Sequence, residues 1–153
     1  MPLRHFVTSL YLTIGLTSGV ALAANPETCA EQQLVEVNSL TTLPASLRAQ
    51  LGSGRADHNG IADRGEKFNA TDLIDDATPM QRFVLAGVGE KCALVALERG
   101  GRGYWLELRV FALTDNAWKE LHRKTMREIP KSVPDLVVHA SKSPDLKVHQ
   151  LQR

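Results

Sequence analysis

The stretch Cys92–Thr114, CALVALERGGRGYWLELRVFALT, decides the fold. Two apolar runs meet at Gly100-Gly101-Arg102-Gly103, the composition of a β-hairpin with a glycine-rich tip. On the second arm Leu106, Leu108 and Val110 alternate with Glu107 and Arg109. A period of two marks a strand with one apolar and one solvated face.

Working outward, Arg82 to Val88 (RFVLAGV) is nearly all apolar, and Gly89-Glu90-Lys91 turns it into the hairpin's first arm. Asp115-Asn116 makes the next turn, and Ala117 to Lys124 (AWKELHRK) reads as a fourth, more polar strand. Strands joined by short connections pair with their predecessors, which predicts an antiparallel meander. The charges of the last strand suit an edge that must discourage pairing with another molecule. Upstream, Gln33 to Leu40 is enough for a short strand. Leu43, Leu47 and Leu51 recur every four residues, with Thr42 as a cap, Pro44 near the first helical position and Gly52 as the stop. That spacing predicts a short amphipathic helix over Pro44–Leu51. Residues 52–81 are polar and glycine-broken, the signature of a long irregular loop, with a short helical turn at Asp72–Asp76. Ile61, Phe68, Leu73 and Ile74 are the positions expected to pin that loop down. The fold expected is α+β, mainly β: a four-stranded antiparallel meander, one face covered by one short helix and the loop.

Residues 1–23 have a basic start at Arg4 and His5, an apolar stretch, and Ala21-Leu22-Ala23 at the end. This layout predicts a secretory signal peptide cleaved after Ala23. A retained anchor is the competing reading, but the run is barely of spanning length, is interrupted by Thr and Gly, and lacks a basic stop-transfer cluster. Residues 24–153 then form a single exported domain, with a core over about 29–125 and a tail over 126–153. In that tail Pro134-Asp135-Leu136-Val137-Val138-His139 recurs as Pro144-Asp145-Leu146-Lys147-Val148-His149, which reads as a repeated turn and short strand.

The formal charge is +1, and loss of Arg4 with the signal brings it to zero. No global pull towards nucleic acid or anionic lipid follows, and no stable membrane span is expected after cleavage. The chain has two cysteines, Cys29 and Cys92. In an oxidising compartment they are expected to join, closing a long loop and adding about 4 kcal/mol by restricting the unfolded chain.

For chemistry the sequence offers little. It holds no Gly-x-Ser-x-Gly elbow, and the predicted bridge leaves no free cysteine. Asp57, Asn59, Asp63 and Asp72 lie in one glycine-rich loop of the kind that holds Ca²⁺, yet the EF-hand register fails at Ala62 and Phe68. Asx residues in such loops commonly close turns instead. The mature histidines His58, His122, His139 and His149 have no converging spacing for a metal, so no cofactor is expected. The Gly-rich tip leads into a strand rather than a helix, unlike a phosphate cradle. Beside it stand Arg99, Arg102, Tyr104 and Trp105, of the residue types that dominate binding hot spots. These residues suggest a non-catalytic periplasmic or secreted binding protein. A specific version is an inhibitor or immunity-type protein that engages a protein partner through the hairpin tip. The alternative is a small periplasmic hydrolase using acids of the 57–76 loop.

Three pieces, Ile61–Asp72 (IADRGEKFNATD), Arg82–Gly87 (RFVLAG) and Glu98–Tyr104 (ERGGRGY), together resemble a group of small, uncharacterised exported proteins of Gram-negative bacteria. The resemblance spans about residues 43–120. It implies a periplasmic placement and supplies no catalytic residue.

Overall fold

The computed structural model of this chain describes residues 29, 31–52, 60–73 and 75–141. Residues 1–23, expected to be a signal peptide, lie outside them, as do Asp57, His58, Asn59, Ile74 and the second copy of the duplicated unit. The described chain is mainly β. Strands β1 (Val35–Val37), β2 (Ile61–Ala62), β3 (Gln81–Val88), β4 (Cys92–Arg99), β5 (Trp105–Thr114) and β6 (Ala117–Met126) form one sheet with two short helices, α1 (Ala45–Leu51) and α2 (Val133–Ser141).

The apolar alternation that predicted the hairpin sets its register: Arg99 faces Trp105, Leu97 faces Glu107 and Val95 faces Arg109. β3, β4, β5 and β6 pair consecutively and antiparallel, as the meander required. Two further short strands make the sheet larger than four. β1 pairs with the end of β3, Val35 opposite Val88, and β2 runs parallel beside its start, Ile61 next to Gln81. The loop between α1 and β3 is thus not wholly irregular; it lends two residues to the sheet. The β5–β6 turn places Asp115 and Asn116 at φ 52° and 60°. Asp and Asn tolerate this left-handed conformation, and its twist matches that of the flanking strands.

Both faces of the sheet are covered, not one. On the first, Leu43, Leu47 and Leu51 bring α1 onto Phe83, Val95, Leu97, Phe111 and Trp118. Pro44 is the N-cap of α1, and Gly52 ends it at φ 81°, donating its N–H to Ala49. Thr42 does not cap the helix; it belongs to a 3-10 turn over Leu40–Thr42 that Ser39 caps. On the second face, α2 packs Val133, Leu136 and Ala140 against Val84, Leu94, Leu108, Val110 and Met126. A bulge between Phe83 and Leu85 sends Phe83 to the first face and Val84 with Leu85 to the second.

α2 corrects the expectation of a turn and strand in the tail. Its Pro134 stands in the first turn, where a missing N–H costs nothing, and Asp135 accepts the Lys131 N–H at 2.9 Å. Val133, Leu136 and Ala140 then fall at helical spacing on the buried side. Pro-Asp begins a helix as readily as a turn; the apolar spacing behind it decides which. Val133, Leu136 and Ala140 therefore join the core.

Cys29 and Cys92 form a disulfide with 5.6 Å between their Cα atoms. Both are buried in the core under α2, tying the chain ahead of β1 to the start of β4.

Candidate functional site

The β4–β5 hairpin ends in a tip, Gly100–Gly103, to which the long loop is bonded. The Gly100 N–H donates to Met80 O at 2.7 Å and the Gly101 N–H to Thr71 O at 3.2 Å. The approach is so close that a Cβ on Gly100 would stand 1.9 Å from the backbone oxygen of Asn69. Only glycine fits there. Within the loop, Asn69 N–H donates to Pro79 O at 2.8 Å, and Asn69 Oδ1 accepts from the Thr71 N–H and hydroxyl. Loop and tip, separate in sequence, make one end of the sheet.

Asp63 and Asp75 are engaged in turns and in fastening the loop to the chain ahead of α1. Asp63 accepts from the Ser39 hydroxyl and from the N–H groups of Leu40 and Arg64, while its own N–H donates to Glu66. Burial pushes the Asp63 carboxyl up, but those three hydrogen bonds outweigh it and the net shift is down. Asp75 accepts from Thr78 and from the Ala77 N–H, which hold it low. Phe68 is partly buried under Arg82, Ile61 is in the core, and Leu73 is 75 % exposed, so it does not pin the loop as expected. Leu73 lies instead in a bend, and Asp72–Asp76 forms no helical turn among its described residues. Of the four calcium candidates, Asp72 is exposed, Asp63 is committed as above, and Asp57 and Asn59 lie outside the described residues. No group of three metal-ligating side chains occurs among the described residues.

Two ionic clusters flank the tip, one on each face. On the α2 face Glu98, 6 % exposed, takes Arg82 in a two-point contact, Nε at 2.6 Å and Nη2 at 3.0 Å. The Tyr104 hydroxyl donates to the same carboxylate at 2.8 Å, and the Arg82 guanidinium lies 4.3 Å from the Phe68 ring centre. Burial raises the Glu98 carboxyl, but the hydrogen bonds from Arg82 and Tyr104 and the charge of Arg82 bring it below the ordinary glutamate range. Burial and that same bond push the Tyr104 phenol up to about 12.

A pH dependence follows, with its sign. Because the folded Glu98 titrates lower than a free glutamate, its contribution is whole above about pH 4 and fades as the pH falls through the folded value. Glu98→Gln removes it. At pH 7 this variant should be less stable than wild type by about 2 kcal/mol, the worth of charge-assisted bonds to a buried carboxylate. The difference should shrink as the pH drops below about 4. Urea midpoints at three pH values check it; a gap that stays constant into acid would show that Glu98 is not held by these contacts.

On the α1 face the pattern read as a solvated strand face is buried: Glu107 and Arg109 are each 5 % exposed. Alternation placed them on one side correctly, but the side chains of Gln81, Arg99, Glu120 and Arg123 gather round them there. Arg109 Nε donates to Glu107 Oε1 at 2.6 Å, and its Nη2 to Gln81 at 3.3 Å. Arg123 makes a two-point pair with Glu120 at 2.8 and 3.0 Å. Arg99 and Arg123 each come within 3.9 Å of Glu107, and Arg109 within 3.8 Å of Glu120. The Arg99 guanidinium lies 5.7 Å from the Trp105 ring centre. Burial draws the Arg99 pKa down; Glu107 opposes this, while Arg109 and Arg123 add to it.

The four residues predicted as a contact surface thus share one end of the sheet but not one face. Arg99 and Trp105 stack on the α1 side, Tyr104 turns to Glu98 and stays half exposed, and Arg102 projects from the tip into solvent. Sequence reasoning missed Arg82, Glu98, Glu107, Arg109, Glu120 and Arg123 as a set, because strand pairing, not local spacing, brings them together. At the opposite end an open depression of about 630 Å³ lies beside Gln32, Val35, Gly89 and Lys91, with no converging pair of acids or histidine and acid. No described helix is long and apolar enough to cross a membrane. Comparison with protein-family models, curated proteins and solved structures finds no match to this chain.

Proposed function

We propose that this chain is a non-catalytic binding protein of the periplasm or the secreted fraction, and that it engages a protein partner through the hairpin end of its sheet. The observation that carries the reading is the bonding of loop to tip through Gly100 and Gly101 beside Arg99, Arg102, Tyr104 and Trp105. A surface of hot-spot residue types whose backbone is already ordered has little conformational entropy to lose on association. The Cys29–Cys92 disulfide supports an oxidising compartment. Asp63 and Asp75 already accept hydrogen bonds from Ser39, Leu40, Arg64, Ala77 and Thr78, and this structural use supports binding over a hydrolase built on the loop acids. An inhibitor or immunity-type role suits a small body that presents one rigid hairpin.

The test is a pull-down from periplasmic extract with wild type, Arg102→Glu and Trp105→Ala. Wild type should retain a partner at defined stoichiometry. Trp105→Ala should weaken it by about 30-fold, the effect of losing one hot spot, and Arg102→Glu by a similar order. If both variants keep every partner that wild type keeps, the hairpin end is not the contact surface.

A further inference from the structure

On the α1 face beside Trp105, three guanidiniums share two carboxylates: Arg99, Arg109 and Arg123 against Glu107 and Glu120. The sharing is unequal. Arg109 is sealed in and bonded to Glu107 and Gln81, and Arg123 holds Glu120 at two points. Arg99 is left short. Its Nε is buried with no hydrogen-bond partner among the described residues. The nearest carboxylate oxygen, Glu107 Oε2, stands 3.9 Å away, beyond hydrogen-bond reach. Yet its side chain keeps 23 % of its surface open and that of Arg123, which reaches the other oxygen of Glu107, keeps 48 %, so both meet solvent at the rim of the cluster. The Arg99 guanidinium lies over the Trp105 ring, within cation–π reach of it.

We propose that this rim, Arg99 with Arg123, is the seat of a carboxylate side chain of the protein partner. The inference rests on the reading of the hairpin end as the contact surface. Charge decides the occupant. The cluster carries one positive charge in excess, which one carboxylate neutralises; a phosphate dianion would overshoot and face Glu107 and Glu120. An arginine fork is matched to the planar carboxylate. The open rim beside Trp105, without an enclosing cavity, suits a side chain delivered by a large partner.

The probe is a blocked tri-glutamate peptide, and the readout is the side-chain Nε–H resonance of Arg99, assigned by its absence in Arg99→Gln. Tri-glutamate should shift that resonance saturably at millimolar concentration. The affinity should fall by about three-fold or more when salt rises from about 0.05 to about 0.3 M. Arg99→Lys, which keeps the charge and loses the fork, should bind at least about three-fold more weakly, with its backbone spectrum unchanged away from the site. A blocked tri-lysine peptide should do nothing. Absence of a saturable shift overturns the seat, and an equal or stronger response to inorganic phosphate overturns its assignment to a carboxylate. In the pull-down, a partner lost with Trp105→Ala but kept by Arg99→Gln leaves the contact surface standing and removes the seat. A partner kept by Trp105→Ala and Arg102→Glu removes the surface itself.

Discussion

Replacing both Cys29 and Cys92 by serine should lower stability by about 4 kcal/mol and the melting temperature by roughly 10 to 20 °C. The bridge joins residues 63 positions apart, so its loss returns a large loop entropy to the unfolded chain. The folded state is also weakened where the loss is local. β1 contributes only three residues, of which Val35 is 65 % exposed, and it is held to the sheet mainly by its pairing with β3. Without the bond from Cys29 to the head of β4, β1 should fray before the rest. Amide exchange at Val35–Val37 should then speed up well below the melting point, while β4 and β5 stay protected. A doubly substituted protein with unchanged urea midpoint and unchanged β1 exchange would show that the bond restrains nothing the sheet does not already hold.

Glu107→Leu should cost about 3 to 5 kcal/mol, the usual penalty for leaving a buried charge unpaired. The change suits the strand and the volume, so the loss is electrostatic. Arg109, whose side chain is 6 % exposed, would keep only Gln81 and the more distant Glu120, with Arg99 and Arg123 still close to the vacated position. The companion variant separates this from packing. Glu107→Leu with Arg109→Leu removes both charges of the tight pair and should recover most of the loss, because a buried ion pair is worth little over apolar residues of similar size. Urea unfolding of the two single variants and the double closes the cycle. Additive costs would mean that the 2.6 Å contact carries no coupling.

How far the molecule was legible can be read from particular residues. Leu43, Leu47, Leu51 and Gly52 announced α1 because a helix repeats its neighbours every three to four positions, and all three leucines are buried. The two arms around Gly100–Gly103 announced β4 and β5 because strand alternation and turn chemistry are local. Asp115-Asn116 announced the last hairpin for the same reason. α2 was misread because Pro134-Asp135 opens turns and helices alike, and the core that Leu136 enters is built by strands far away in the chain. β1 lies within Gln33–Leu40, where a short strand was expected, but β2 is too short for any period to declare it; both pair along the open edge of β3.

The candidate site divides along the same line. That Arg99, Arg102, Tyr104 and Trp105 stand near a hairpin end was determined by the sequence, since they are neighbours along the chain. That Gly100 must be glycine, that Glu98 grips Arg82, and that Glu107 and Arg109 are buried while Arg99 is left a donor short was decided by the tertiary structure alone. Alternation along a strand assigns side chains to two faces, but it does not say whether a face meets water or a neighbour. That depends on what packs over it, and charges buried by such packing must find partners across strands, at distances no local pattern encodes.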